Sequence, residues 1–218
     1  MNTTELTALL VLATATSLTP GPNTTLSTAL AANGGLSRAL PFICAVPVGW
    51  GALFALCAAG LGSLVMTHPV VRWAVLVGGV AYLLWLARRL WVSRAMGSLS
   101  AARLDVTFWQ GVGLQFLNIK AWMLALSLVA GWVAGQADAW LRFGQVFPLM
   151  LAFAFTSNLT YALLGSVLRH WLAGPIVQGE PSGGRLVVFN RLMASALVLT
   201  ALWMLTSGVT STTTGAAA

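Results

Sequence analysis

The run Gln115-Phe-Leu-Asn-Ile-Lys-Ala-Trp-Met-Leu124 decides the fold. It lies inside an apolar stretch, residues 108–134, of about a membrane's thickness, and Lys120 is the lone charge near its middle. An ammonium at bilayer depth costs about 2.5–3.5 kcal/mol on insertion scales, so such a residue is rarely kept without a partner or a task. At the matching place in the first half of the chain, Thr19-Pro20-Gly21-Pro22-Asn23 interrupts the first hydrophobic segment.

Composition makes bilayer depth the right frame. The chain has 218 residues, 58% hydrophobic and 7% charged, with a mean hydropathy of +0.87. A soluble domain carries about 25% charged residues, so too few are present here to cover a water-facing surface. In lipid every backbone polar group must be satisfied internally, which leaves helices or a closed barrel. Long apolar runs without ten-residue alternation choose helices. Six segments are long enough to cross a core about 30 Å thick: residues 5–31, 41–66, 71–92, 108–134, 144–169 and 188–208. Residues 1–208 form one domain, and the Thr/Ala-rich end, residues 209–218, is expected to be a disordered tail.

The basic residues follow this topology instead of forming a patch for nucleic acid, and no nucleic-acid partner is expected. Arg38, Arg88, Arg89, Arg94, Arg103, Arg169, Arg185 and Arg191 fall in or beside the loops between segments one and two, three and four, and five and six. The opposite side holds Arg72 and Arg142, with Glu5 and Asp138. Excess arginine marks the cytoplasmic face, so both termini are expected outside. Trp73, Trp91, Trp109, Trp140 and Trp171 stand near segment ends, as an interfacial aromatic belt requires. The first segment lacks the basic start and small-residue cleavage site of a signal peptide, and reads as a span. Cys44 and Cys57 lie in one predicted helix, roughly 20 Å apart at 1.5 Å per residue, too far for a disulfide.

Three spans plus three set the two halves, about 5–92 and 108–208, in opposite orientations, with spans one and four interrupted near the midplane. Interrupted segments at corresponding places are the sequence mark of a transporter's midplane site. Direct identity between the halves is slight; Leu61-Gly-Ser-Leu64 against Leu164-Gly-Ser-Val167 is the nearest echo. Pro20 and Pro22 each lack an amide hydrogen, so carbonyls of the preceding turn lose helical partners. Those carbonyls must find a hydroxyl, an amide, water or a ligand, and Thr16, Ser17, Thr19, Asn23, Thr24 and Thr25 are close by. For Lys120 two roles stand open: capture of a substrate carboxylate, or a structural bond to the freed carbonyls. Asn158, in Thr156-Ser157-Asn158-Leu159-Thr160-Tyr161, either lines the pathway or bonds helix to helix. Small residues in spans two and three (Gly49, Gly51, Ala55, Gly78, Gly79) read as close-packing sites.

These residues resemble the lysine exporter (LysE/RhtB) family of bacterial amino-acid exporters. The resemblance rests on Thr19-Pro-Gly-Pro-Asn23, Asn33-Gly-Gly-Leu-Ser-Arg-Ala39, Gly78-Gly-Val-Ala-Tyr-Leu-Leu-Trp85, and Phe108-Trp-Gln-Gly111 leading to Asn118-Ile-Lys120. It implies six transmembrane helices in two inverted three-helix repeats in the bacterial inner membrane, a homodimer, and proton-driven export of amino acids or close derivatives. Most relatives have Asn-Pro-Lys; Ile119 replaces that proline here, which suggests a less sharply bent fourth helix. A nonproline residue at that place is similar to the cysteine and O-acetylserine exporter branch. Lysine exporters of the family carry an aspartate in the second span, where this chain reads Val48-Gly-Trp-Gly51.

All four acids, Glu5, Asp105, Asp138 and Glu180, fall in loops or at span edges. A cationic substrate would need a carboxylate at depth, so the expected substrate is neutral or zwitterionic. Its carboxylate would sit near Lys120, and its amine near carbonyls around Thr19 and Pro20. The expected binding residues are Thr19, Pro20, Gly21, Pro22, Asn23, Asn118, Lys120 and Asn158, with no cofactor, metal or catalytic residue. Proton coupling is left with Lys120 as its one nameable group. The rival readings are a membrane redox protein, which would need a cysteine in each half, and a structural subunit, which would not need Lys120.

Overall fold

The computed structural model describes residues 1–62, 68–93, 105–177 and 180–215. Arg94, Arg103 and the Gly97-Ser98 separator lie outside the described residues, and so do Ser63 and Leu64 of the internal echo.

The first segment is two helices, not one. Helix α1 spans Thr3–Leu18. The Asn2 side chain accepts from Glu5 N at 2.8 Å, and Asn2 N donates to the Glu5 carboxylate at 2.8 Å. This reciprocal cap satisfies two of the amides that a helix start leaves unpaired. The chain leaves helical geometry at Thr19, and α2 (Pro22–Gly34) restarts with Pro22 in its first turn. There the missing amide hydrogen costs nothing, because it would have had no helical partner. Thr24 closes the restart: Gly21 N donates to its hydroxyl at 2.9 Å, and the hydroxyl donates to the Gly21 carbonyl at 3.1 Å.

Gly35, at φ +83°, turns the chain into α3 (Leu36–Ala58). Helix α4 (Pro69–Val92) completes the first half. The second half repeats the order: α5 (Phe108–Leu117), α6 (Ile119–Leu128) continued by a π-turn at Val129–Val133, the 35-residue α7 (Ala139–Ala173), and α8 (Gly184–Gly215).

Helices α5 and α6 bend by 69° at Asn118. The softening expected from Ile119 in place of proline therefore leaves a deep break. Asn118 itself makes it, in extended conformation, with its side chain accepting from Lys120 N at 3.1 Å. An asparagine that caps the second half-helix ends the first without a proline.

By length and composition, α3, α4, α7 and α8 to Thr206 can each cross a membrane, and the bent α5–α6 pair makes a fifth span. The two halves of the first segment are 16 and 13 residues long, each short of the roughly 20 that a crossing needs. Helix α8 is described to Gly215, and residues 216–218 of the expected tail lie outside the described residues. Between α7 and α8 the chain makes a two-residue antiparallel pairing, Ile176–Val177 (β1) with Glu180–Pro181 (β2), a local turn feature in an all-helical fold.

Helix α3 packs on α7 and α5, α4 on α8, and α2 on α7. One core, with Phe42, Leu83, Leu114 and Leu197, joins α2, α3, α4, α5 and α8; a second, with Trp50, Phe54, Trp122 and Met150, joins α1, α3, α6 and α7. Close approach needs small residues at two places. A methyl on Gly49 would sit 2.6 Å from the Val112 carbonyl, and one on Gly79 would strike the carbonyl of Leu117, beside the second break. The outer faces are apolar: Val70 is 81% exposed, Val167 75% and Trp140 85%. This is the surface of a bundle whose solvent is lipid.

Candidate functional site

The two breaks meet. From α6, the Lys120 Nζ donates to the carbonyl of Thr19 at 3.5 Å, and a methyl on Gly21 would lie 3.6 Å from that Nζ. From α7, the Tyr161 hydroxyl donates to the carbonyl of Leu18 at 2.9 Å. Two consecutive carbonyls released by the Pro20–Pro22 interruption are thus taken by side chains of the second half. The remaining hydroxyls bond backward along α1, Thr16 to Leu12 O at 2.8 Å and Thr19 to Ala15 O at 2.6 Å. The structural bond that the sequence left open for Lys120 exists, although at the long end of the hydrogen-bond range.

Three amide contacts hold α2. Asn23 and Gln115 exchange hydrogen bonds at 2.9 and 3.1 Å, joining the restart of the first break to α5. Ser27 donates to the Asn158 side chain at 2.9 Å, and Asn158 donates to the Ala154 carbonyl at 2.8 Å. Farther along, Asn33 and Asn190 exchange bonds at 2.7 and 2.9 Å. Asn158 therefore both borders the site and ties helix to helix. Gln115 and Asn190, both fully buried, had no role in the sequence reading. An amide inside an apolar helix was the available signal, since such groups turn toward partners.

Between the breaks lies a cavity of about 90 Å³. Of the expected site residues, Thr19, Gly21, Pro22, Asn23, Asn118, Lys120 and Asn158 line it. Pro20 does not. It lines a neighbouring groove that Thr19, Gly21, Pro22 and Lys120 share, closed on its far side by Leu199, Thr200 and Trp203 of α8. The cavity also takes in Trp50 and Met150, which the sequence reading passed over.

Among the described residues, Lys120 is the one ionisable side chain lining this cavity. The ion pairs among the described residues both belong to Arg142, at 3.1 Å to Glu5 and 2.7 Å to Asp138. Those three groups gather at the end of the bundle where α1 and α7 begin. At the other end Arg169 lies against the turn at Gly35, and the Arg185 and Arg191 guanidiniums cover the rings of Trp171 and Trp91 at 4.9 and 5.4 Å. At Asp138, the hydrogen bond from Arg142 holds the carboxyl below its ordinary range.

The chain is 33% identical over 174 residues to a cysteine/O-acetylserine efflux protein of Klebsiella pneumoniae, covering 78% of this chain and 86% of the relative. Proteins of the same name from Salmonella typhimurium (30% over 155 residues, 71% and 78% covered) and Escherichia coli (26% over 169 residues, 78% and 86% covered) are also similar. No solved structure matches the chain. The family model of the LysE type translocators matches residues 14–208, and the chain belongs to that family of translocators, not to a family of enzymes.

Proposed function

We propose that the protein exports a neutral or zwitterionic amino acid, or a close derivative, from the bacterial cytoplasm across the inner membrane, as a secondary transporter driven by the proton gradient. The contact between Lys120 and the Thr19 carbonyl carries this reading. It sets a cation beside a backbone acceptor in a small cavity whose lining includes no acid among the described residues. An α-amino acid zwitterion has the complementary pair of charges. Its carboxylate takes the Lys120 ammonium, and its own ammonium donates to the carbonyl that Lys120 gives up. A charge-assisted pair is stronger than the neutral acceptor it replaces. The efflux names of the relatives support the direction of transport and a small sulfur- or ester-bearing amino acid as substrate.

The six-crossing topology, with repeats at about 5–92 and 108–208, is part of this proposal. It is supported by the two broken helices at matching places and by the pairing of α3 with α7 and of α4 with α8. The first crossing is then made by α1 and α2 together. Outer placement of both termini is supported by the Glu5–Arg142–Asp138 cluster at one end and the arginines at the other. Lys120, as the ionisable lining residue, is the group proposed to couple flux to protons. The homodimer rests on family resemblance.

Efflux from preloaded proteoliposomes, with a panel of neutral and cationic amino acids and with and without a pH gradient, tests the reading. Neutral amino acids are expected to leave faster with the gradient. Absence of any amino-acid flux from folded protein refutes it, and selective lysine or arginine flux refutes the substrate argument alone.

A further inference from the structure

The cavity lining combines polar groups (Lys120, the Thr19 carbonyl and the amides of Asn23, Asn118 and Asn158) with apolar ones: Val46 and Trp50 from α3, Met150 and Ala154 from α7, and Leu124 from α6. Val46 and Trp50 are one turn apart on α3, as are Met150 and Ala154 on α7, so each pair lies on one helix face.

We propose that Trp50, together with Met150 and Ala154 of the same lining, is the specificity-determining wall of this site and admits only amino acids with short, uncharged side chains. The inference rests on the transport reading above, which places the backbone charges of the substrate at Lys120 and the Thr19 carbonyl and leaves its side chain to meet this wall. Trp50 is 5% exposed and Met150 3%. The indole stacks on Phe54 at 5.1 Å, and Phe54 stacks in turn on Phe143 at 5.4 Å and Phe147 at 6.2 Å. This stack leaves the indole no room to retreat, because well-packed rings resist displacement. The cavity it borders, at about 90 Å³, is smaller than an engineered apolar cavity of about 150 Å³ that takes up benzene. A long side chain meets the indole face. A cationic one meets a wall without an acceptor. A short thiol side chain, by contrast, finds an aromatic ring, a favourable partner for sulfur.

Purified wild-type protein, Trp50→Ala, Trp50→Phe and Ala154→Leu are reconstituted and compared in counterflow with alanine, serine, cysteine, methionine and leucine. A pocket discriminates one methylene by about 10- to 200-fold. Trp50→Ala is therefore expected to raise methionine and leucine flux relative to cysteine by at least about tenfold. Ala154→Leu fills the space from α7 and is expected to lower cysteine flux relative to alanine by about tenfold. If Trp50→Ala or Trp50→Phe does not yield monodisperse protein, the Ala154→Leu ratio decides. Unchanged ratios in folded variants that still carry cysteine overturn the wall and leave the carrier reading intact. Absence of flux in the wild type overturns that reading, and this inference with it.

Discussion

Replacing Gln115 with leucine tests how the two broken helices are held together. Gln115 and Asn23 exchange two hydrogen bonds, at 2.9 and 3.1 Å, and a third runs from Gln115 to the Gly111 carbonyl at 3.1 Å. That carbonyl already lies in the α5 backbone ladder, so losing the third bond costs little. Interhelical side-chain bonds in membrane proteins average about 0.6 kcal/mol and reach about 1.7, so the two exchanged bonds contribute roughly 1–3 kcal/mol. Leucine recovers part of the packing, but the Asn23 amide is left facing an apolar side chain, a penalty of about 1–3 kcal/mol. The expected loss is about 2 kcal/mol, read as a lower midpoint in detergent unfolding. Asn23→Leu is expected to cost a similar amount. The double variant is expected to fall short of the summed losses by about 1–2 kcal/mol, since each single change leaves an orphan that the double change removes. Strictly additive losses, or a neutral Gln115→Leu, would refute the claim that this amide pair joins the two breaks.

Lys120→Met is expected to lower amino-acid flux at least about tenfold while leaving expression and monodispersity unchanged, because it removes the cation proposed to meet the substrate carboxylate; retained flux in liposomes contradicts that role. Asn118→Ala is expected to cost about 1 kcal/mol in unfolding measurements through loss of the α6 cap. Ile119→Pro is expected to keep the break, since residue 119 is the first of α6, where proline is favoured and the preceding residue is already extended, and to cost about 1 kcal/mol in unfolding measurements because the Ile119 side chain is buried in the core. The Asp138 carboxyl is held below its ordinary value by Arg142, so its contribution to stability is present above about pH 4 and is lost as pH falls through the lowered value. Asp138→Asn is expected to flatten that acid limb of the unfolding midpoint.

What the sequence disclosed was whatever stands out against lipid. Lys120, the two prolines and Asn118 are anomalies in apolar runs, and each has its place at the meeting of the two breaks. Gln115 and Asn190 were equally anomalous but passed unread. An amide carries no charge and needs a partner that only the fold identifies, 92 residues away for Gln115 and 157 for Asn190. The break at Asn118 shows a different limit. Proline is the local signal for an interrupted helix, and its replacement by Ile119 argued for a straighter one. The extended backbone and side-chain cap of Asn118 hold the bend without it.

Trp50 was invisible for the opposite reason: an aromatic residue in an apolar span reads as core, and it is core on one face. Its indole packs on Phe54 behind while closing the cavity in front. The same double duty explains why Lys120 resisted a single assignment from sequence. Its ammonium needs a bond whether or not a solute is present, because an unpaired cation at that depth would be expelled or neutralised. The Thr19 carbonyl supplies a long, weak bond. Under the proposed function a substrate carboxylate would outcompete it by charge, so holding the helix break together and capturing a zwitterion would be two occupancies of one position.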